Sequence, residues 1–338
     1  MKLSVFTLFL IFFQLSQLQS QVKPSIFPED LNSEELESIS LSKPGVTNSS
    51  RSKGLSITYG IIGDGAYHPE DDTNLTQPYS KYSSLQYLEF KLKIPIVLKD
   101  NFKMLIGLKH FSEKFKFKNI GDDFSFVFQE LDSEKLKSNS MSIIVSKPMN
   151  STQYTIMRLS YSADGDYNQF MSFDKKYSVY KFFGIYGFKK SDDSEWGLGL
   201  GATKSFRRTA ALPFIMLNKN FNERWGIEAV IPIFVYARYN LNANNIFLVG
   251  FEYDSRSYRI DIDNSNFTDY AYAFNHSELI ASVKLEHRFV PWFWGKMRLG
   301  YQMNFSSDFE AKSDVTTSFF AEPSNGLFFN VGFFVSPE

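Results

Sequence analysis

From Ala281 to Phe305 the chain sets charged and apolar residues at alternate positions. Lys284, Glu286 and Arg288 interleave with Val283, Leu285 and Phe289. Beyond Pro291 the pattern resumes, with Lys296, Arg298, Gln302 and Asn304 between Met297, Leu299, Tyr301, Met303 and Phe305. A period of two places alternate side chains on opposite faces of a β-strand. A soluble sheet buries its apolar face, whereas a membrane barrel turns that face to lipid and keeps the polar face in its lumen.

The same alternation recurs along the chain. Segments 55–63, 82–96, 102–111, 139–148, 152–162 and 177–190 read as the first six strands. In the second, Leu88, Phe90, Leu92 and Ile94 alternate with Glu89, Lys91 and Lys93. Long polar connections follow the first, third and fifth of these strands, including a charged loop over 113–138. Short turns follow the second, fourth and sixth. Up-and-down bacterial barrels sort their connections in this way, long outside and short in the periplasm. Segments 194–206, 210–221, 224–240, 244–262 and 325–335 continue the series, together with the two strands of 281–305. Pro232 lacks an N–H and divides 224–240 into two strands. The expectation is an all-β, up-and-down antiparallel transmembrane barrel with 14 strands favoured within a range of 12–14.

The first residues change the picture by placing the chain outside the cytoplasm. Lys2, an apolar run from Leu3 to Phe13 and a polar stretch of small residues have the order of a secretory signal peptide. The apolar run is shorter than the ~20 residues of a transmembrane helix. The expected organisation is a signal peptide over 1–20, a short acidic periplasmic leader over 21–50 and an outer-membrane barrel over 51–338.

Composition narrows the function classes. The net charge of −1 carries no mark of a nucleic-acid binder. Aromatics make up 17% of the chain while the mean hydropathy is only −0.23, as alternating lipid-facing strands produce. There is no cysteine, so disulfide frameworks, Cys-ligated zinc and thiol catalysis drop out.

Between 212 and 260 the run N-x-x-W-G-I-E-A-x-x-P (Asn222 to Pro232), then RYNL (Arg238 to Leu241) and SYRI (Ser257 to Ile260), resembles a known family. It comprises uncharacterised outer-membrane β-barrels of Bacteroidota-type bacteria, grouped as a domain of unknown function. The resemblance implies location and fold over about residues 50–335, and no reaction.

Candidate chemistry is sparse. His110 and Ser112 form an H-x-S triplet that resembles the His/Ser pairing of outer-membrane lipid A deacylases, since residues two apart on a strand share a face. A chance triplet is the plainer reading. Asp261, Asp263 and Ser265 imitate the start of a calcium loop, but Asn266 and Tyr272 stand where Gly and Glu are needed. No metal site and no cofactor site is expected. The lumen-parity charges are Glu89, Lys91, Lys93, Arg158, Glu228, Lys284, Glu286, Arg288, Lys296 and Arg298, seven basic to three acidic. They either satisfy one another in a packed interior or line an aqueous passage.

The functional expectation is a porin-like passive solute channel. Its rivals are a non-conducting structural, assembly or surface-binding barrel, a lipid-modifying hydrolase, and at the level of fold a soluble secreted β-sandwich. The expected partners are outer-membrane lipid, the barrel-assembly machinery during insertion and small solutes, with no nucleic acid.

Overall fold

The computed structural model describes residues 45–69, 78–264, 267–312 and 317–336. The expected signal peptide and most of the acidic leader lie outside them. The 17 strands are β1 (Leu55–Ile62), β2 (Gly65–His68), β3 (Ser80–Lys99), β4 (Phe102–Ile120), β5 (Leu136–Pro148), β6 (Gln153–Gly165), β7 (Ser178–Ser191), β8 (Ser194–Lys204) and β9 (Thr209–Asn220), followed by β10 (Trp225–Ile231), β11 (Phe234–Asn242), β12 (Asn245–Asn264), β13 (Phe267–Val290), β14 (Phe293–Ala311), β15 (Phe319–Phe320), β16 (Glu322–Pro323) and β17 (Gly326–Val335). A helix, α1 (Ser125–Ser133), sits between β4 and β5.

Setting aside the short β2, β15 and β16, consecutive strands pair antiparallel all the way round, giving 14 staves. The ladder from Leu55↔Val335 to Ile62↔Phe328 joins β1 to β17 and closes the sheet. Because the first and last strands pair, the sheet is a barrel and not a two-layer sandwich. Its outer surface is apolar: Ile57, Leu159, Phe251 and Leu299 are 47%, 60%, 54% and 59% exposed. A closed barrel with an apolar exterior is the form in which β-structure crosses a membrane.

One end carries tight turns, such as Pro291–Trp292 between β13 and β14 and Asp192–Asp193 between β7 and β8. An aromatic belt surrounds that end. Phe188 stacks on Trp196 at 4.4 Å, Phe293 stacks on Phe333 at 5.6 Å, and Trp292 is exposed. Amphipathic rings favour the membrane–water interface.

The opposite end corrects three sequence boundaries. Residues 113–120 belong to β4, residues 306–311 to β14, and β13 begins at Phe267 rather than near Ala281. Above the apolar belt the outward positions become polar, as with exposed Lys114, Lys116 and Lys118, which alternate with Phe115 and Phe117. A reading that looks for apolar outward residues therefore ends such strands too early.

The long upper halves of β12, β13 and β14 lean across the barrel instead of standing upright. β10 and β11 end low, at Ile231 and Phe234, and leave β12 without a neighbour on that side. β12 then crosses to β6, where Arg259 pairs with Gly165 in parallel. Beneath the crossing, Tyr258, Ile260, Tyr272, Phe274 and Phe309 pack against Tyr67, Tyr82, Phe115 and the α1 side chains Val127, Phe128 and Leu131. This aromatic core caps the loop end.

Candidate functional site

The inward face of the barrel is where polar chemistry gathers. Inward parity holds for every lumen charge expected from the sequence. Of these, Glu89, Lys93, Arg158, Glu228, Glu286 and Arg298 are buried. Lys91, Lys284, Arg288 and Lys296 are part-buried. They are brought together in groups rather than along an open wall.

Glu252, on β12, is the centre of one group. Its carboxylate pairs with Arg298, accepts from Lys284 Nζ at 3.2 Å and accepts from Tyr236 Oη at 2.5 Å. Lys284 also lies over the Tyr236 ring, 4.3 Å from its centroid. On the opposite wall Glu89 Oε2 stands 2.9 Å from Lys91 Nζ and 3.7 Å from Lys109 Nζ. Lys93, Arg158, Ser140 and Ser142 share with Lys91 and Lys109 a cavity of about 20 Å³, room for a water or two. Nearer the cap, Arg256 bridges Glu113 at 3.1 Å and Asp254, and His276 Nε2 meets Glu278 at 2.8 Å.

Sequence alternation missed Glu252, Glu113, Arg256 and Arg238. Each has inward parity in a strand, but Glu113 and Arg256 lie beyond the apolar belt. Arg238 sits within RYNL, where its inward direction was readable from Tyr239 and Val235 on the other face.

The turn end is closed by a separate irregular segment, the strap. Residues 45–53 cross the mouth from the β7–β8 turn to the foot of β1. Thr47 N donates to Asp192 O (2.8 Å), and Asn240 Nδ2 donates to Asn48 O (3.0 Å). Ser50 gives its N–H to Glu228 Oε1 at 2.8 Å and its hydroxyl to Oε2 at 2.5 Å. Arg51 lies 5.4 Å from the Trp294 ring centroid, and Lys53 Nζ reaches Glu286 at 3.1 Å. Glu228 also takes Arg238 Nη1 at 2.7 Å, so a fully buried guanidinium holds the strap's acceptor in place. Trp292 is exposed in the turn, whereas the even parity of Trp294 turns that ring inward, 1% exposed and stacked on Phe334.

Apolar side chains fill the rest of the lower lumen. Tyr154, Ile156, Phe183, Phe214, Met216 and Val230 form one buried cluster. Phe183 and Phe214 stack at 4.4 Å over the inward glycine row of β8, where a Cβ at Gly199 would meet the Phe214 ring at 2.0 Å. The lumen is therefore packed, with charges paired in layers between two apolar clusters.

His110 and Ser112 have outward parity on β4, so the wall separates them from the lumen charges. Asn139 Nδ2 donates to the Phe170 carbonyl at 2.6 Å, which fixes the amide so that its Oδ1 accepts from His110 Nδ1 at 2.5 Å. Phe170, from the loop after β6, stacks on the imidazole. No hydrogen bond joins His110 to Ser112 among the described residues. Asp261 holds Lys176, Arg259 and Tyr177; the Asp263 and Ser265 side chains lie outside the described residues. No metal-binding group of His, Asp and Glu is found among the described residues.

Comparison with solved structures returns membrane channels at low similarity. A Pseudomonas aeruginosa FadL homologue is 10% identical, covering 83% of this chain and 89% of that one, with a TM-score of 0.41. An outer membrane channel from Pseudomonas putida F1 is 9% identical over 87% and 99% of the two chains, with a TM-score of 0.40. The P. putida toluene transporter TodX is 8% identical over 89% and 92%, with a TM-score of 0.38. At these scores the barrel assignment rests on the chain's own strand pairing. No curated protein matches the sequence. A family match covers residues 52–337, the whole barrel from the strap's last residues onward. The chain belongs to the family described as "Domain of unknown function (DUF6268)".

Proposed function

We propose that the protein is an outer-membrane solute channel held shut in the state described here, rather than a permanently open porin. The observation that carries this reading is the strap. The turn end is closed by a segment outside the strand ladder, tied through hydrogen bonds and ion pairs to Asp192, Asn240, Glu228 and Glu286. A closure built this way can be released without unzipping the barrel. Above it, charge layers centred on Glu252 and Glu89 supply groups that water or a polar solute could solvate once the packing opens. The chain acts without catalysis in this reading, and a cleaved signal peptide delivers it to the outer membrane.

Planar-bilayer recording on refolded, heat-modifiable protein is the test. The wild type should open rarely, and the double variant Lys53→Gln, Glu228→Gln should open often. Silence from both folded proteins would sink the channel reading. The second reading, a non-conducting barrel that binds a partner through its capped end, is favoured by the dense aromatic core around Phe128, Phe274 and Phe309. It predicts that silence.

A further inference from the structure

The outer wall is hollowed across β4 to β8 on the side towards the loop end. The hollow holds about 820 Å³, within the ~300–1,000 Å³ typical of small-ligand sites. Strand register sets its walls in two rows. Tyr161, Tyr180 and Lys204 pair in sequence along the upper row, and Leu159, Phe182 and Ala202 along the lower. Ala202 gives the hollow its depth, because a methyl stands beside the Phe182 ring, and Ala211 follows it in β9. Phe173 overhangs from the loop after β6, 76% exposed and stacked on Tyr161 at 5.7 Å. That overhang is anchored, since Tyr161 Oη donates to the Ser172 carbonyl at 2.8 Å.

We propose that this hollow is a site for one membrane lipid whose phosphate headgroup carries a net negative charge. The acyl chains lie against Leu159, Phe182 and Ala202, and the phosphate is held at the exposed ammonium of Lys204. The inference rests on the membrane reading, because only there does this face meet lipid. The order of the chemistry supports it: tyrosines and a lysine stand at the end where headgroups lie, and apolar side chains lie deeper. Phe173 closes over one side, which a wall in contact only with bulk lipid does not require.

Native mass spectrometry of the full-length barrel, delipidated and then incubated with phosphatidylglycerol or phosphatidylcholine, tests the site. One phosphatidylglycerol should be retained in preference to phosphatidylcholine. Ala202→Phe, which fills the hollow from the lipid side, should weaken retention about tenfold, and Lys204→Glu should abolish the headgroup preference. Equal retention by wild type and Ala202→Phe, or no preference between the two lipids, would overturn the proposal. Flotation of the same proteins with vesicles separates the two failures. A barrel that does not float refutes the membrane reading, and one that floats yet keeps no defined lipid refutes the site alone.

Discussion

Ser50 donates both its backbone N–H and its hydroxyl to the two carboxylate oxygens of Glu228, at 2.8 and 2.5 Å. The pair joins a segment that precedes the first strand to the inner wall of β10, 178 residues further along. Because Arg238 holds the same carboxylate from the other side, the acceptor stays in position when the strap leaves.

Removing the hydroxyl should therefore loosen the strap and spare the barrel. Ser50→Ala forfeits a hydrogen bond to a charged group, worth about 2 kcal/mol. Amide hydrogen exchange over residues 45–54 should accelerate by roughly thirtyfold, while β10 and β11 exchange as before. Unchanged exchange in the strap would mean that Ser50 does not hold it.

The crossing of β12 to β6 carries a pH dependence. Burial, and then the charge of Asp261, push the Asp166 carboxyl up to about 7, against the backbone N–H that Asp261 donates to it. Burial alone would raise Asp261 as well, but hydrogen bonds from Lys176 and Arg259 hold it below the usual value. Between pH 4 and 7 the folded crossing keeps a proton on Asp166 that the opened chain has lost. Its stability therefore falls as pH rises through that window and levels off above it. Protease protection of the 166–177 loop should be greater at pH 5 than at pH 8, and Asp166→Asn should flatten the difference. Equal protection of the wild type at both values would contradict the assignment.

Gly199 faces the Phe183–Phe214 stack with no room for a Cβ. Gly199→Leu overpacks that layer and should cost about 1–3 kcal/mol. The check is the urea midpoint of the gel-mobility shift on folding into detergent micelles. Gly326, whose nearest neighbour would be Ile62 at 3.7 Å, is the control position that should accept Ala with little change.

Adjacent residues 298 and 299 should respond to charge in opposite ways. Leu299→Arg puts a cation on the apolar exterior and should destabilise by about 2–4 kcal/mol if it lies near the bilayer midplane. Arg298→Met removes a partner of buried Glu252 and should cost about 3–5 kcal/mol. Folding titrations in liposomes measure both, and raising the salt concentration should not rescue the first.

Ser112→Ala should leave any lipid-hydrolase reading without effect, because the hydroxyl makes no hydrogen bond to His110. A deacylase assay that detects activity in wild type and loses it in this variant would reinstate the catalytic pair.

Much of the barrel was legible in the chain because its physics is local. Period-two alternation at Leu88–Ile94 and Val283–Phe305 decides which side chain faces out, whatever the neighbouring strands are. Pro232 marks the short turn between β10 and β11 for an equally local reason. The inward direction of the charges followed from the same parity. Their partners did not, since Glu252 with Arg298 and Lys284, or Ser50 with Glu228, meet only once the sheet has closed.

Sequence alone determined the strand order and the two faces of the wall, because each depends on residues within a few positions of one another. Only the tertiary structure decided that the lumen is filled. That outcome depends on the low ends of β10 and β11, which let β12 fold across to β6, and on a strap whose length matches the span of the mouth. Neither is a property of any one segment: both are fixed by distances between staves that the closed barrel brings into reach.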